Sequence, residues 1–401
     1  MTSGPIRRHR RRVRVLLLGE TARFHNGGAN RVVVETCDWL ARAGHEVALA
    51  FQHEGPIEVG CRTFQLPDGG TTEQLTTLLD EFQPDVVQVH YVARPERLPE
   101  LAARVPTCVF LHDQTWFCLC GDRADRNFSP CHRPHGAACL FWNYAQGCGS
   151  KNPKANLTRW RRTEQLGVLK SLPTARIQVA SKFMTRGLQE NGYDLARVDL
   201  VPLFSEPPPA VAETEPGLLL LPARLVPGKG VQLALDALAL LKPLSWRLVI
   251  AGDGWHRAAL AAQAQRLGMG ERVIFLGEVA PAVLARWYAR AQLVLFPVLR
   301  QEPFGLIGVE ALAYGKPIVA LAGGAVEEWL WPEETGLRVD ERTPAAFAAA
   351  IRELLENPAR CQAMGAAALQ RYPRFHPSAY VARLVASFER TQETFRRGRD
   401  V

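Results

Sequence analysis

Leu293-Val294-Leu295-Phe296-Pro297, followed by Glu302-Pro303-Phe304-Gly305-Leu306-Ile307-Gly308-Val309-Glu310 and closed by Gly315-Lys316-Pro317, is the stretch on which the fold turns. An apolar run of strand length gives way to a helical one. Proline suits the first turn of a helix, where its missing N–H costs nothing, and glycine with proline just beyond it is a stop signal. The spacing predicts a helix that holds Pro303 in its first turn and ends at Gly315, with Glu302 just before the start and Glu310 about two turns in. Corners at the carboxyl ends of parallel strands are where open α/β sheets take ligands. A helix start favours anions, and carboxylates beside it suit hydroxyl groups. Either glutamate alone reads equally well as a solvated surface charge. Gly305 and Gly308, however, let a ligand approach the backbone.

The same alternation extends in both directions. Ahead of the stretch, strands are expected at Leu218–Leu221, Trp246–Ala251, Arg272–Leu276 and Gln292–Phe296, with helices near 231–241, 257–267 and 283–291. After it come a strand at Ile318–Leu321 and a helix near 344–356. In the first half, strands are expected at 13–18, 47–50, 85–89, 108–111 and 176–180, and a helix from about Asn30 to Ala43. Alternating β and α segments imply mainly parallel sheets covered by helices. Residues 205–216 carry four prolines and no period, which marks a linker. The expected division is a basic arm at 1–12, a first Rossmann-like domain at 13–205, a linker at 206–216, a second Rossmann-like domain at 217–376 and a final helical segment at 377–401. Two such domains create a cleft between them.

Composition sets the class. The 401 residues are 47% hydrophobic and 22% charged, with net charge +8, an ordinary globular balance. Six arginines among residues 1–14 hold most of the excess, so the rest is near neutral and no specific nucleic-acid partner is expected. No stretch reaches the roughly 18–20 apolar residues of a membrane span, and a cytoplasmic location is expected. Lys151, Lys154, Arg159, Arg161 and Arg162 surround Leu157 and Trp160 with no acid. Such a segment either lies on the anionic inner face of a membrane or is a solvated helix. Cys118, Cys120, Cys131, Cys139 and Cys148 fall within 31 positions. Paired C-x(2–4)-C zinc knuckles are missing there, so free thiols compete with a structural zinc site.

Other candidates sit at strand ends. Arg224 and Lys229 precede a helix in a glycine-bearing loop, a layout that presents cations to phosphate. Gly252-Asp253-Gly254 and Gly277-Glu278-Val279 follow strands and read as turns or as a platform for a base. His112 follows Val109-Phe110-Leu111, where it can move a proton, contact a sugar or cap the strand. Gly27-Gly28 can admit a ligand or make a tight turn.

Together these residues resemble the retaining glycosyltransferases of family four, which have the GT-B architecture. The resemblance covers nearly the whole chain and is strongest from Leu218 to Leu337. It is carried by Glu302-x(7)-Glu310 with Pro303-Phe304-Gly305, by Arg224 with Lys229, and by Gly252-Asp253-Gly254, Phe275-Leu276-Gly277 and Gly315-Lys316-Pro317. Gly27-Gly28, Gly44-His45 and His112-Asp113 carry it in the first half. The resemblance implies a nucleotide-diphosphate-sugar donor, a glycan or lipid-linked acceptor, and no required cofactor or metal. By the same resemblance Arg224 and Lys229 hold the diphosphate and Glu302 the donor sugar. Glu310 holds the ribose, the Phe304–Leu306 backbone meets the phosphate or sugar, and His112 lies beside the transferred sugar. Gly252, Asp253, Val279, Gly27 and Gly28 complete the expected donor site. Leu203-Phe204-Ser205 departs from the Asn-Gly-Val-Asp-like turn usual in the family, at a hinge that often borders the acceptor. A phosphorylase or epimerase on the same plan, or a non-catalytic binder of glycan or nucleotide sugar, are the rival readings.

Overall fold

Runs rich in Val, Leu and Ile that are buried on both faces belong in parallel sheets, and the computed structural model, which describes residues 12–22, 28–53, 57–206 and 213–399, places them in two. The first sheet contains β1 (Arg14–Leu18), β2 (Glu46–Phe51), β3 (Arg62–Gln65), β4 (Val86–Val89), β5 (Thr107–Leu111), β6 (Ala175–Val179) and β7 (Val198–Leu200). Its order is β3-β2-β1-β4-β5-β6-β7. The second contains β8 (Leu218–Pro222), β9 (Arg247–Ala251), β10 (Val273–Gly277), β11 (Leu293–Phe296), β12 (Ile318–Leu321) and β13 (Gly336–Val339), in the order β10-β9-β8-β11-β12-β13. Every pairing within both sheets is parallel. The chain is therefore α/β, with two Rossmann-like domains.

The order of each sheet reverses at its first strand, β1 or β8. That reversal opens a crevice at the strands' carboxyl ends, and the two crevices face one another across the molecule. The expected arm and the expected linker fall partly outside the described residues, at 1–11 and 207–212. Arg12, the one described residue of the arm, donates to Glu46 at 3.2 Å.

One apolar cluster runs from Leu17 and Phe110 of the first domain through Phe204, Tyr380 and Phe375 to Phe296 and Trp329 of the second. The last helix, Pro377–Arg399, makes this continuity possible by lying back on the first sheet. Buried polar side chains pin it there. Gln88 donates to Gln178 at 2.7 Å, Gln178 to Ser387 at 2.8 Å, and Ser387 to Asp199 at 2.7 Å. Asp199 also accepts two bonds from Arg176, both 2.9 Å, and one from Arg390 at 2.8 Å. Burial opposes the Asp199 charge, but Arg176 and Ser387 outweigh it and hold the carboxyl below its usual range. Its stabilisation is thus present above the ordinary aspartate pKa and is lost as pH falls through the lowered one. Asp199→Asn should cost about 3 kcal/mol by leaving Arg176 without its buried partner. A denaturation midpoint equal to the wild type's would show that the pair contributes nothing.

Candidate active site

The loops that follow β8 and β11 are zipped together. Leu299 and Arg300 both donate backbone N–H groups to the carbonyl of Gly228, at 3.0 and 3.2 Å. Gly230 sits at φ +70°, and a Cβ there would lie 1.7 Å from the carbonyl oxygen of Pro297. Only glycine permits that approach, which explains the Gly after Lys229. The result brings Lys229 Nζ to 2.7 Å from Glu302 Oε2, both side chains being largely buried.

The helix begins later than its spacing suggests. It runs Leu306–Ala313, with Gly305 at its N-cap in a left-handed conformation at φ +90°. Pro303 therefore belongs to the corner and not to the first turn, because a left-handed residue cannot continue a helix. Glu310 is accordingly little more than one turn in. Each carbonyl of the corner has a partner. Gln301 O accepts from Gln114 at 2.7 Å, Glu302 O from Ala325 N at 2.9 Å, Pro303 O from Ser181 at 2.6 Å, and Phe304 O from Trp329 Nε1 at 2.7 Å. Gln114 and Ser181 belong to the first domain, so the corner is braced from both sides of the cleft.

Electrostatics keeps Glu302 ionised. Burial raises its pKa, but Lys229, Arg300 and Arg224 together bring it below the usual glutamate range. Arg300 Nε is 3.8 Å from Glu302, and its Nη2 is 3.2 Å from Asp122 of the first domain. Burial pushes the Asp122 carboxyl up, against the pull of Arg300. Arg224 is exposed at the edge of this group. Three cations converge on two carboxylates, and an ammonium bonded once to Glu302 keeps two further donors. Such a cluster has positive charge to spare for an anion.

Glu310 lies elsewhere in the cleft. One oxygen accepts from Arg31 of the helix Gly28–Arg42, and the other from Tyr288 Oη at 2.6 Å. Arg31 also bonds Glu35 at 2.8 Å. His112 does not stand free at the strand end. Its Nε2 is 2.8 Å from His90 Nδ1, and the two rings stack with centroids 5.1 Å apart. Burial pushes His112 down to about 4 and His90 well below its ordinary value. Both rings are neutral at neutral pH, so His112 can accept or donate a hydrogen bond but is not a protonated acid.

The remaining candidates are placed as follows. Asp253 bonds its neighbour Gly254 N at 2.7 Å and Arg257 at 2.8 Å. These contacts hold its carboxyl low, the Gly254 bond foremost. Gly252 N donates to Gly277 O at 2.8 Å, tying together the turns after β9 and β10. Val279 is half-buried just past β10. The Phe304 ring is buried. A Cβ on Gly28 would lie 3.5 Å from Leu306, so the first-domain glycine faces the start of the second-domain helix. Gly27 lies outside the described residues.

All nine cysteines are free thiols. Cys118 and Cys120 bring their sulfurs to 3.3 Å. Among the described residues no three His, Cys, Asp or Glu side chains are arranged to hold a metal, so the cysteine loop has no zinc geometry. Nor, among those residues, is any helix long and apolar enough to cross a membrane. Sequence reasoning missed His90, Asp122 and Arg300. Arg300 carried a weak signal, a cation two positions before Glu302.

Two family models match. One, described as glycosyl transferases group 1, covers residues 206–371, and the other, a glycosyl transferase 4-like domain, covers residues 27–146. A D-inositol 3-phosphate glycosyltransferase of Segniliparus rotundus is 33% identical over 213 residues, which is 49% of this chain and 47% of that protein. A glycogen synthase of Mycobacterium tuberculosis is 34% identical over 183 residues, 45% of this chain and 42% of the other. The matched stretches thus span less than half the length of these relatives. Among solved structures, the sucrose-phosphate synthase of Thermosynechococcus elongatus superimposes with a TM-score of 0.73 at 21% identity, over 94% of this chain and 99% of the other. Anabaena HepE, solved in complex with UDP and glucose, gives 0.70 at 18% identity over 94% and 99%. At these identities the superpositions bear on the fold alone.

Proposed function

The chain belongs to glycosyltransferase family four, and from that premise we propose that it transfers a sugar from a nucleotide-diphosphate sugar to a glycan or lipid-linked acceptor, with retention at the anomeric carbon, in the synthesis of a cell-surface polysaccharide. The Lys229–Glu302 pair carries this reading: a largely buried ammonium and an ionised carboxylate held by two zipped loops at the carboxyl ends of adjacent strands.

In this reading the bond from the sugar's anomeric carbon to the donor phosphate breaks as the acceptor oxygen bonds to that carbon. Lys229 and Arg224 stabilise the charge that grows on the departing diphosphate, which is the largest lever an enzyme has in such a step. The leaving phosphate takes the acceptor's proton. Glu302, ionised, accepts hydrogen bonds from the sugar hydroxyls. Neutral His112, fixed by His90, hydrogen-bonds the transferred sugar from the first domain. Glu310 has lone pairs beyond those used by Arg31 and Tyr288, and these receive the ribose hydroxyls. The positive charge that the reaction requires comes from the chain's own cations, so the proposed transfer is metal-independent. HepE was solved with UDP and glucose, which makes uridine donors the first to test.

A hydrolysis and transfer screen over UDP-, GDP- and ADP-sugars, with the product anomer read by NMR, tests the proposal. Release of nucleoside diphosphate from one donor class, with an α product from an α donor, is expected. Binding without turnover would leave a non-catalytic nucleotide-sugar protein, and inversion at the anomeric carbon would overturn the retaining chemistry.

A further inference from the structure

From Arg126 to Thr163 the chain holds seven lysines and arginines and no acid. The structure folds this segment into two touching helices of the first domain, Ala138–Ala145 and Pro153–Leu166. Asn156 ties them by donating to Tyr144 Oη at 3.1 Å and to Ser150 O at 2.7 Å. Three apolar side chains nevertheless project into solvent from this pair: Phe141 is 66% exposed, Tyr144 50% and Leu157 38%. On the second helix Lys154, Leu157 and Arg161 lie at i, i+3 and i+7, one face, and all three are exposed.

The basic side chains divide by role. Arg162 turns inward to the carbonyls of Val92 and Ala93, and Arg133 covers the Trp142 ring at 4.1 Å. Lys151, Lys154, Arg159 and Arg161 form no ion pair among the described residues. The acid that ends the segment, Glu164, is directed at His135, 3.0 Å away. Unpaired cations beside protruding aromatic and aliphatic side chains are what an interfacial helix offers to a negatively charged bilayer: charge attracts, and the apolar groups enter the headgroup boundary. A soluble polyanion would use the cations and leave Phe141 and Leu157 in water.

We propose that this face of the first domain, built on Phe141, Tyr144, Leu157, Lys151, Lys154 and Arg161, docks on an anionic lipid bilayer. The start of this segment lies at the cleft, where Arg342 donates to Phe128 O at 2.5 Å, and just ahead of it Asp122 meets Arg300 at 3.2 Å. Docking there sets the cleft beside the membrane surface. If the proposed transfer holds, the arrangement selects a lipid-linked acceptor over a soluble glycan, and this last step rests on that reading.

Flotation of the full chain with vesicles of phosphatidylcholine, with and without phosphatidylglycerol, tests the docking without requiring any transfer. The wild type should float with the anionic vesicles, and less so as salt rises, because screening shortens to about 8 Å at physiological ionic strength. Lys154→Gln with Arg161→Gln should weaken partition about 25-fold, about fivefold for each cation. Phe141→Ala, at a site too exposed to threaten folding, should weaken it several-fold. Donor turnover in solution should stay unchanged in both variants, so that loss of flotation is not unfolding. Flotation of the variants equal to the wild type's would place the attraction elsewhere, the arginine-rich arm included, and would overturn the proposal. So would a wild type that ignores anionic vesicles.

Discussion

Lys229→Ala should lower transfer by about a hundred- to a thousandfold, the loss typical of removing one preorganised group from a developing anion. The ammonium is held in place before any substrate arrives. Gly230 forces the tight turn behind it, the carbonyl of Gly228 is bonded by two N–H groups of the opposite loop, and Glu302 fixes the Nζ at 2.7 Å. Removing it takes away charge that no flexible surface lysine would replace. It also leaves Glu302 without its nearest cation, so the carboxyl should titrate higher than in the wild type. Arg300 and Arg224, the other cations around Glu302, offset this only in part. Glu302→Ala should cost activity on a similar scale. Glu302→Gln distinguishes charge from shape, since an amide still bonds sugar hydroxyls but no longer pairs with Lys229. The measurement is nucleoside-diphosphate release per enzyme with the best donor of the screen, alongside a check that the variants melt like the wild type. A folded Lys229→Ala enzyme with wild-type turnover would end the proposed mechanism.

Trp329→Ala should destabilise the second domain by about 5 kcal/mol, at the upper end for a large aromatic removed from a core. The indole is fully buried and meets Phe296 edge-on with centroids 5.2 Å apart. It also fills the space that a Cβ on Gly308 would claim, 2.0 Å from its Cδ2. That contact explains a glycine inside a helix, where glycine otherwise costs up to about 1 kcal/mol. The substitution opens a cavity and strands the Phe304 carbonyl, which loses its 2.7 Å partner. Because that carbonyl belongs to the corner carrying Glu302, activity should fall even at temperatures where the variant is folded. Chemical denaturation followed by intrinsic fluorescence measures the first effect. A loss below about 1 kcal/mol would mean that the core closes over the gap.

Much of this was legible in the chain. Most interior strands of both sheets are near-continuous apolar runs, as parallel sheets favour, and β1, β5, β8, β9 and β11 stand out for that reason. The edge strands β3 and β7 do not, because edges are short and polar: Arg62–Gln65 and Val198–Leu200 have no apolar run to mark them. The helix after Thr71 does carry a sequence signal, Thr71 with Gln74 in a reciprocal cap. At the corner, Pro303 was misleading because its fixed φ suits both a first helical turn and an extended bend. Lys229 and Glu302 were both readable as candidates. Their contact was not, since 73 positions separate them and the Gly228–Arg300 zipper that joins their loops has no period. His90 beside His112 depends on the pairing of β4 with β5, and Asp122 beside Arg300 on how the two domains meet, and neither is written in local spacing.

The braced corner bears on how such enzymes can be recombined. Two of its four carbonyl contacts come from Gln114 and Ser181, residues of the opposite domain. The donor half is therefore not a self-contained cartridge. A chimera that grafts residues from 213 onward onto a foreign first domain inherits Lys229 and Glu302, but it also needs an amide and a hydroxyl arriving in register from the new partner. Exchange of halves between related enzymes should succeed where those two side chains match and give folded, inactive hybrids where they do not.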